Sequence, residues 1–258
     1  MFGTVRHVHA DLALALELAD LADSITLPRF QAPDLAWETK ADLTPVSEAD
    51  RAAELAIRDH LGRSRPGDAV VGEEFGADGT AERRWVLDPI DGTKNYVRGV
   101  PAYASLIALM EGETVVVGVV SAPALRRRWW ARRGDGAYAD GRRIRVSPVD
   151  SLAGAFFSYS SLAGWEKTGH LDRFLDLTRT VGRTRAFGDF WSHMLVAEGG
   201  VDIAAEPEVS LWDLAALQVV VEEAGGRFTD LSGVARPDGG SALSSNGHLH
   251  DVVLTYLS

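Results

Sequence analysis

The chain has 258 residues, 46% of them hydrophobic and 24% charged, with no cysteine and a net charge of −11. Those proportions suit an ordinary globular protein of one large domain or two small ones sharing an interface. They exclude a disulfide framework, a thiolate zinc site and a cysteine nucleophile, and the acidic balance speaks against general nucleic-acid binding, which needs a basic surface.

No membrane partner is expected, because the longest aliphatic run, Thr114 to Val120, is far short of the ~20 residues of a span. Leu12 to Leu21 is interrupted by Glu17 and Asp20 and leads to no cleavage pattern, so a signal peptide is not expected and a cytoplasmic location is. In that same stretch Leu12, Ala15, Leu16, Ala19 and Ala22 recur at helical spacing and predict an amphipathic helix over 8–25. Residues 27–40 contain two prolines and no period, and read as a loop. A second helix should start at Thr44-Pro45, proline suiting the first helical position. In the alternative, Ser47 caps and Asp50 closes a box three residues later.

Ala69–Val71 and Trp85–Leu87 are short apolar runs leading at once into acidic residues, and read as buried strands delivering carboxylates at their ends. Tyr103–Met110 and Thr114–Val120 flank Glu111-Gly112-Glu113 as a β-hairpin. Further strands are expected at 129–132 and 144–146. Arg126, Arg127, Arg128, Arg132 and Arg133 surround Trp129 and Trp130 and read as a solvated strand edge or a subunit contact rather than a polyanion site.

A break at Ser147 to Leu152 divides residues 1–147, an α+β half, from 148–258, an α/β half, the two forming one catalytic unit. The second half predicts a strand at 156–159, a helix at 171–180 and a strand at 184–187. Helices at 189–198 and 214–224 and a strand at 227–229 follow. Such alternation suggests an α/β layer packed on a more antiparallel first half.

The chemistry concentrates in Trp85-Val86-Leu87-Asp88-Pro89-Ile90-Asp91-Gly92-Thr93. A strand ends in a carboxylate, a proline bends the chain, and a second carboxylate follows three positions on. Gly92 permits a close turn that exposes the Gly92 and Thr93 amides at a helix start, where free N–H groups and the dipole favour phosphate. Two carboxylates beside a phosphate repel unless cations lie between them, and hard oxygen donors favour magnesium. The alternative is an ordinary turn in which Asp88 and Asp91 cap amides. Val71-Gly72-Glu73-Glu74 repeats the strand that ends in acid, and Asp213 stands just before an apolar helix. Taken singly, Asp213 would be an N-cap and Glu73 a solvated loop residue.

Gly72-Glu73-Glu74, then Asp88-Pro89-Ile90-Asp91-Gly92-Thr93, then Trp212-Asp213-Leu214-Ala215-Ala216, with Ser245-Asn246-Gly247 near the end, resemble in order and spacing the motifs of the inositol monophosphatase family. The resemblance implies a layered α-β-α-β-α fold shared with fructose-1,6-bisphosphatase, a homodimer, and a small phosphate monoester as substrate. It further implies that Glu73, Asp88 and the Ile90 carbonyl hold one magnesium, and that Asp88, Asp91 and Asp213 hold a second. Glu73 would help a weaker third through water, giving two to three ions per site, with manganese as the alternative metal. Asp50 and Thr93 match the pair that orients the attacking water in this family, with Thr44 as support, and Glu73 joins them as a catalytic residue. A metal-bound water has a lowered pKa, and the metals with the Gly92 and Thr93 amides neutralise charge on the phosphoryl oxygens. Direct attack by water without a phosphoenzyme is therefore expected.

The substrate segment is Arg185-Ala186-Phe187-Gly188-Asp189-Phe190-Trp191-Ser192-His193. Family members acting on polyols usually carry a small residue where Asp189 stands. Glu206 matches a position that contacts the leaving group. Two carboxylates there suit a cation, and histidinol phosphate carries an ammonium and an imidazole that can donate to both. Phe190 or Trp191 could add a stacking face. This segment and Gly92-Thr93-Lys94-Asn95-Tyr96 resemble the histidinol-phosphatase branch of the family. The implied substrate-binding set is Gly92, Thr93, Arg185, Gly188, Asp189, Glu206 and Asp213. The plain alternatives are an N-cap role for Asp189, core packing for Phe190 and Trp191, and a structural or surface role for His193. Arg98, where many relatives have histidine, is expected at the pocket rim or a dimer contact. Rival functions are an inositol-1-phosphate or broad-specificity phosphatase, a 3′-phosphoadenosine nucleotidase, supported only by Arg185, and a non-catalytic regulatory protein of the same fold.

Overall fold

The computed structural model of the protein describes residues 4–41 and 43–257, with side chains from residue 10 onward. Helix α1 (Thr4–Arg29) buries Leu14, Ala15, Leu18, Ala19 and Ala22 along one stripe; of the predicted face Ala15, Ala19 and Ala22 are buried, while Leu12 and Leu16 stand half-buried beside it. It outruns the predicted helix at both ends. Pro28 falls in its last turn, where it removes one backbone donor, and the helix ends one residue later at Arg29. The rest of the expected loop holds a strand, β1 (Trp37–Thr39), paired antiparallel with β2 (Pro45–Ser47). Thr44-Pro45 is thus not a helix start. Helix α2 (Glu48–Ser64) begins at the alternative site: the Ala49 and Asp50 amides donate to Ser47 Oγ, and Ser47 N donates to Asp50 Oδ2 at 2.8 Å.

The first sheet comprises β3 (Ala69–Gly72), β4 (Gly76–Asp78), β5 (Arg83–Asp91), β6 (Ala104–Glu111), β7 (Thr114–Ala122), β8 (Arg127–Arg132), β9 (Gly136–Ala139) and β10 (Arg142–Arg143), with the short helix α3 (Thr93–Val97) after β5. Its order is β10-β9-β8-β7-β6-β5-β3-β4, and only the β3–β5 pair is parallel. The arginine-rich strand β8 lies inside this sheet, not at its edge. Its side chains meet carboxylates: Arg127 pairs with Asp140 and Glu198, Arg128 with Asp20 and Asp23, and Arg132 with Asp135, while Arg133 just beyond pairs with Glu222. Residues 144–146 are not a strand. The hairpin closes earlier at β10, and Val146 N instead donates to the Ala224 carbonyl at 3.1 Å.

The second half runs β11 (Phe156–Ser158), α4 (Leu162–Lys167), α5 (Leu171–Thr180), β12 (Arg183–Arg185), α6 (Asp189–Ala197), β13 (Ile203–Glu206), α7 (Leu211–Glu223), β14 (Arg227–Thr229), β15 (Ala242–Ser245) and α8 (His250–Leu257). Its sheet has the order β12-β11-β13-β15-β14, parallel across the first three strands and antiparallel across the rest.

Three apolar clusters define the layering. Leu18 and Ile57 of α1 and α2 pack on Trp85, Ile107 and Val117 of the large sheet. The opposite face of that sheet, through Val86, Leu106 and Trp129, packs on Phe190 and Met194 of α6 and on Leu214 and Val219 of α7. The second sheet buries Phe157, Ile203 and Leu243 against Trp165, Phe174, Leu177 and Val253 of α4, α5 and α8. The fold is therefore the layered α-β-α-β-α arrangement. No helix among the described residues is long and apolar enough to cross a membrane.

Candidate active site

The parallel register of β3 on β5 pairs Gly72 with Leu87, so Glu73, just past the end of β3, and Asp88, within β5, stand side by side. In a regular strand, residues three apart face opposite sides. Here β5 carries an extra residue: Asp88 pairs with Leu106 and Asp91 with Ala104. That bulge turns both carboxylates to one side. Pro89, which has no N–H to offer a ladder, sits inside it, and its carbonyl accepts from Ser105 Oγ at 2.7 Å. Asp88 Oδ1 accepts from Ile90 N at 3.0 Å.

Gly92 has φ +81°, caps α3, and lies where an added Cβ would stand 3.0 Å from the Ala102 carbonyl. Glycine meets both demands. No side chain caps α3, which leaves its leading amides for another acceptor. Thr93 Oγ1 lies 2.8 Å from the Ile90 carbonyl and 3.3 Å from Asp50 Oδ1, so the expected water-orienting pair is together.

Asp213 comes from the opposite side. It is not the cap of α7 but its third residue: Ser210 is the cap, and Ser210 N donates to Asp213 Oδ2 at 2.7 Å in a capping box. Asp88, Asp91 and Asp213 place carboxylate oxygens within 4.8 Å of one another. All three titrate high. Burial is the main cause for each, and neighbouring carboxylates add to it: Glu73, Asp91 and Asp213 around Asp88, and Asp189 and Asp213 around Asp91. Asp213 is pushed up to about 7, by burial first and then by Glu73 and Asp189. Asp50 rises to about 6, again chiefly by burial. Ion pairs among the described residues put a cation on Glu73 and Glu74 but on none of these three. Hard, anionic, mutually repelling oxygens without a basic partner suit a divalent cation.

The Glu73 carboxylate points instead to Lys40 Nζ at 2.8 Å, which also meets Glu74 at 2.5 Å. Behind that turn lies Glu54, fully buried on α2, whose carboxylate accepts from Glu74 N at 2.8 Å, Phe75 N at 3.3 Å and Arg58 Nε at 2.7 Å. Gly72 is what makes room for it: a Cβ there would stand 2.0 Å from Glu54 Oε1.

The substrate segment reaches the same place. Asp189 is not an N-cap: Gly188 caps α6 and Asp189 is its first residue, with a left-handed φ of +48°. Its amide donates to Ser160 Oγ at 2.9 Å, and the next amide, Phe190 N, donates to Asp91 Oδ2 at 2.8 Å. Ser160 Oγ also donates to Glu206, at the end of β13. Burial raises Asp189 and pushes Glu206 up to about 8, with Asp189 and Asp213 adding to the latter.

Arg185 is exposed on the edge strand β12, where its guanidinium donates to the Thr184 carbonyl at 2.8 Å and, among the described residues, pairs with no carboxylate. Phe190 offers no open stacking face, because it is buried against Trp129 with ring centroids 6.1 Å apart. Trp191 packs on Phe187 at 5.4 Å. His193 is buried on Ser244 at 2.7 Å, a structural position. Arg98 ends α3, exposed, and lines a hollow of about 380 Å³ with Gln31 and Trp37. Lys40, Glu54, Asn95 and Ser160 are the site's neighbours that the sequence reading misses. Asn95 alone carries a signal, its place in Gly92-Thr93-Lys94-Asn95-Tyr96.

A profile of the inositol monophosphatase family matches residues 8–258. A protein from Mycobacterium tuberculosis named histidinol-phosphatase is 62% identical over 97% of this chain and 98% of its own. Another of that name, from Streptomyces coelicolor, is 61% identical over 96% and 97%. Among solved structures, an inositol monophosphatase from Zymomonas mobilis superposes with a TM-score of 0.87 at 33% identity, covering 96% of this chain and 98% of that one.

Proposed function

The chain belongs to the inositol monophosphatase family and is a phosphoric monoester hydrolase, and on that premise we propose that it hydrolyses L-histidinol phosphate to L-histidinol and phosphate with magnesium. The observation that carries the choice of substrate is the buried pair of carboxylates, Asp189 and Glu206, tied through Ser160 beside the acidic cluster. A neutral polyol gives such a pair nothing to offset its charge, whereas the ammonium and imidazole of histidinol phosphate donate to it. The names of the two bacterial relatives agree with this choice.

In this reading Glu73, Asp88, the Ile90 carbonyl, Asp91 and Asp213 hold two to three magnesium ions. Bound there, magnesium supplies positive charge for the phosphoryl oxygens and water of lowered pKa. Thr93 Oγ and Asp50 orient the attacking water. The Gly92 and Thr93 amides receive phosphoryl oxygens, and the hydroxyl leaving group departs towards Glu206. In this reading water, not a side chain of the site, attacks phosphorus directly, and no phosphoenzyme forms. A homodimer and a cytoplasmic location complete the proposal.

Glu206→Ala tests the substrate. It should raise KM for histidinol phosphate roughly tenfold, the scale of one charged hydrogen bond, and raise KM for p-nitrophenyl phosphate much less. Equal effects on both substrates would refute a cationic pocket and favour an inositol phosphate or a broad substrate range.

A further inference from the structure

Asn95 lies on α3, one turn past the proposed metal ligands, and its side chain crosses to the substrate segment. Both hydrogens of its amide nitrogen are used: one goes to the Ala102 carbonyl at 3.0 Å, the other to Asp189 Oδ2 at 3.1 Å. The first bond fixes the amide on the chain that follows α3, so the second is delivered from an anchored donor. Asp189 needs such a hold, because its backbone is in the left-handed region that side chains other than Asn and Asp rarely adopt. Ser160 Oγ takes its amide and Asp91 takes the amide after it, which fixes the backbone; the Asn95 bond holds the carboxylate oxygen Oδ2.

The chemistry of the donor matters. A lysine or arginine in the same place would neutralise Asp189 and leave it nothing for a cationic ligand, as Lys40 does for Glu73. An amide donates one hydrogen bond and leaves the full negative charge in place. It also occupies one carboxylate oxygen and leaves the other, Oδ1, for a second donor. Lys94, the neighbour in sequence, is exposed; its charge favours the ionised Asp189 carboxylate, but it makes no ion pair with it among the described residues.

We propose that Asn95 is a positioning residue for substrate specificity, holding the Asp189 carboxylate by one oxygen so that the other meets the substrate's cationic group; this rests on the histidinol phosphate reading above. It links the metal-binding turn to the specificity segment by a route other than the Phe190–Asp91 bond.

The test compares Asn95→Ala, Asp189→Ala and the double variant in the full-length enzyme with magnesium, measuring kcat and KM on histidinol phosphate and p-nitrophenyl phosphate. Asn95→Ala should raise KM for histidinol phosphate roughly tenfold, with kcat within about twofold, and raise KM for p-nitrophenyl phosphate far less. The double variant should be no worse than Asp189→Ala alone, because the two residues act as one unit. If Asn95→Ala fails to fold by circular dichroism, Asn95→Ser carries the same comparison. Equal losses on both substrates, or losses that multiply in the double variant, would reduce Asn95 to a structural part and overturn the proposal. An Asp189→Ala enzyme with unaltered discrimination would instead overturn the substrate reading itself, and the role of Asn95 with it.

Discussion

Asp88, Asp91 and Asp213 repel one another across a buried space, so neutralising one should have opposite effects on folding and on turnover. Asp88→Asn or Asp213→Asn keeps an oxygen for Ile90 N or Ser210 N and removes a charge. Metal-free, either variant should melt roughly 2–4 °C higher in a thermal scan, the shift of about 1 kcal/mol in a chain of this size. With saturating magnesium each should lose at least ~1000-fold in phosphate release, the scale of lost transition-state electrostatics. Near-normal activity in either variant would defeat the metal assignment. Gly72→Ala should behave quite differently. Its methyl group would stand 2.0 Å from Glu54 Oε1, and a urea melt should record a loss of about 1–3 kcal/mol, the usual cost of overpacking. The four acidic residues are legible in the sequence because each ends a strand or opens a helix within a short motif. Lys40, Glu54 and Ser160 are not, because they act on partners 33, 20 and 46 residues away, and no local pattern carries such distances; Asn95 stands in a legible motif, but its partner Asp189, 94 residues on, is not legible from it.

Two helices begin with the same device. Ser47 with Asp50 opens α2, Ser210 with Asp213 opens α7, and in both boxes the acid at the third position also faces the site. Capping thus fixes the acid's backbone at the cost of one carboxylate oxygen. Ser210→Ala should lower stability by about 1 kcal/mol in a denaturant melt, as for other cap deletions; an unchanged midpoint would mean that the Ser210 hydroxyl contributes nothing to the start of α7. The elements most legible in the sequence have a complete local signature. The helix expected at 171–180 is Leu171–Thr180, and the hairpin of β6 and β7 follows from the turn between two apolar runs. Elements fixed by tertiary pairing escape the sequence. Residues 144–146 are apolar enough for a strand, yet the ladder ends at Arg142–Arg143 and Val146 is held by α7. Strands β13 and β15 are four residues each and take their register only from one another and from β11 and β14.

Across the whole molecule the site is a junction of layers. Strands β3 and β5 belong to the large sheet, α6 and α7 to the middle layer and β13 to the second sheet, so a cation bound among their acids ties together parts that otherwise meet through apolar faces. A carboxylate whose pKa is raised by folding keeps its proton in the folded state after the unfolded chain has lost it. From the ordinary carboxylate range near 4 up to about 7 for Asp213 and about 8 for Glu206, unfolding therefore releases protons, and stability falls as pH rises. The loss is complete above those values, where a bound cation has most charge to offset. Magnesium should accordingly raise the melting temperature more at pH 8 than at pH 5.5, as followed by differential scanning calorimetry; an equal rise at both would separate the metal from these acids. The layered architecture itself is legible from the order of apolar runs and the family motifs, while the meeting of Asp189 and Glu206 with the metal cluster is visible only once the layers stack. Phosphate release from histidinol phosphate and inositol-1-phosphate, side by side, with and without magnesium, is the decisive measurement. Strong, magnesium-dependent preference for histidinol phosphate is expected. Preference for inositol-1-phosphate would contradict the cationic pocket, and release of equal speed without magnesium would contradict the metal site.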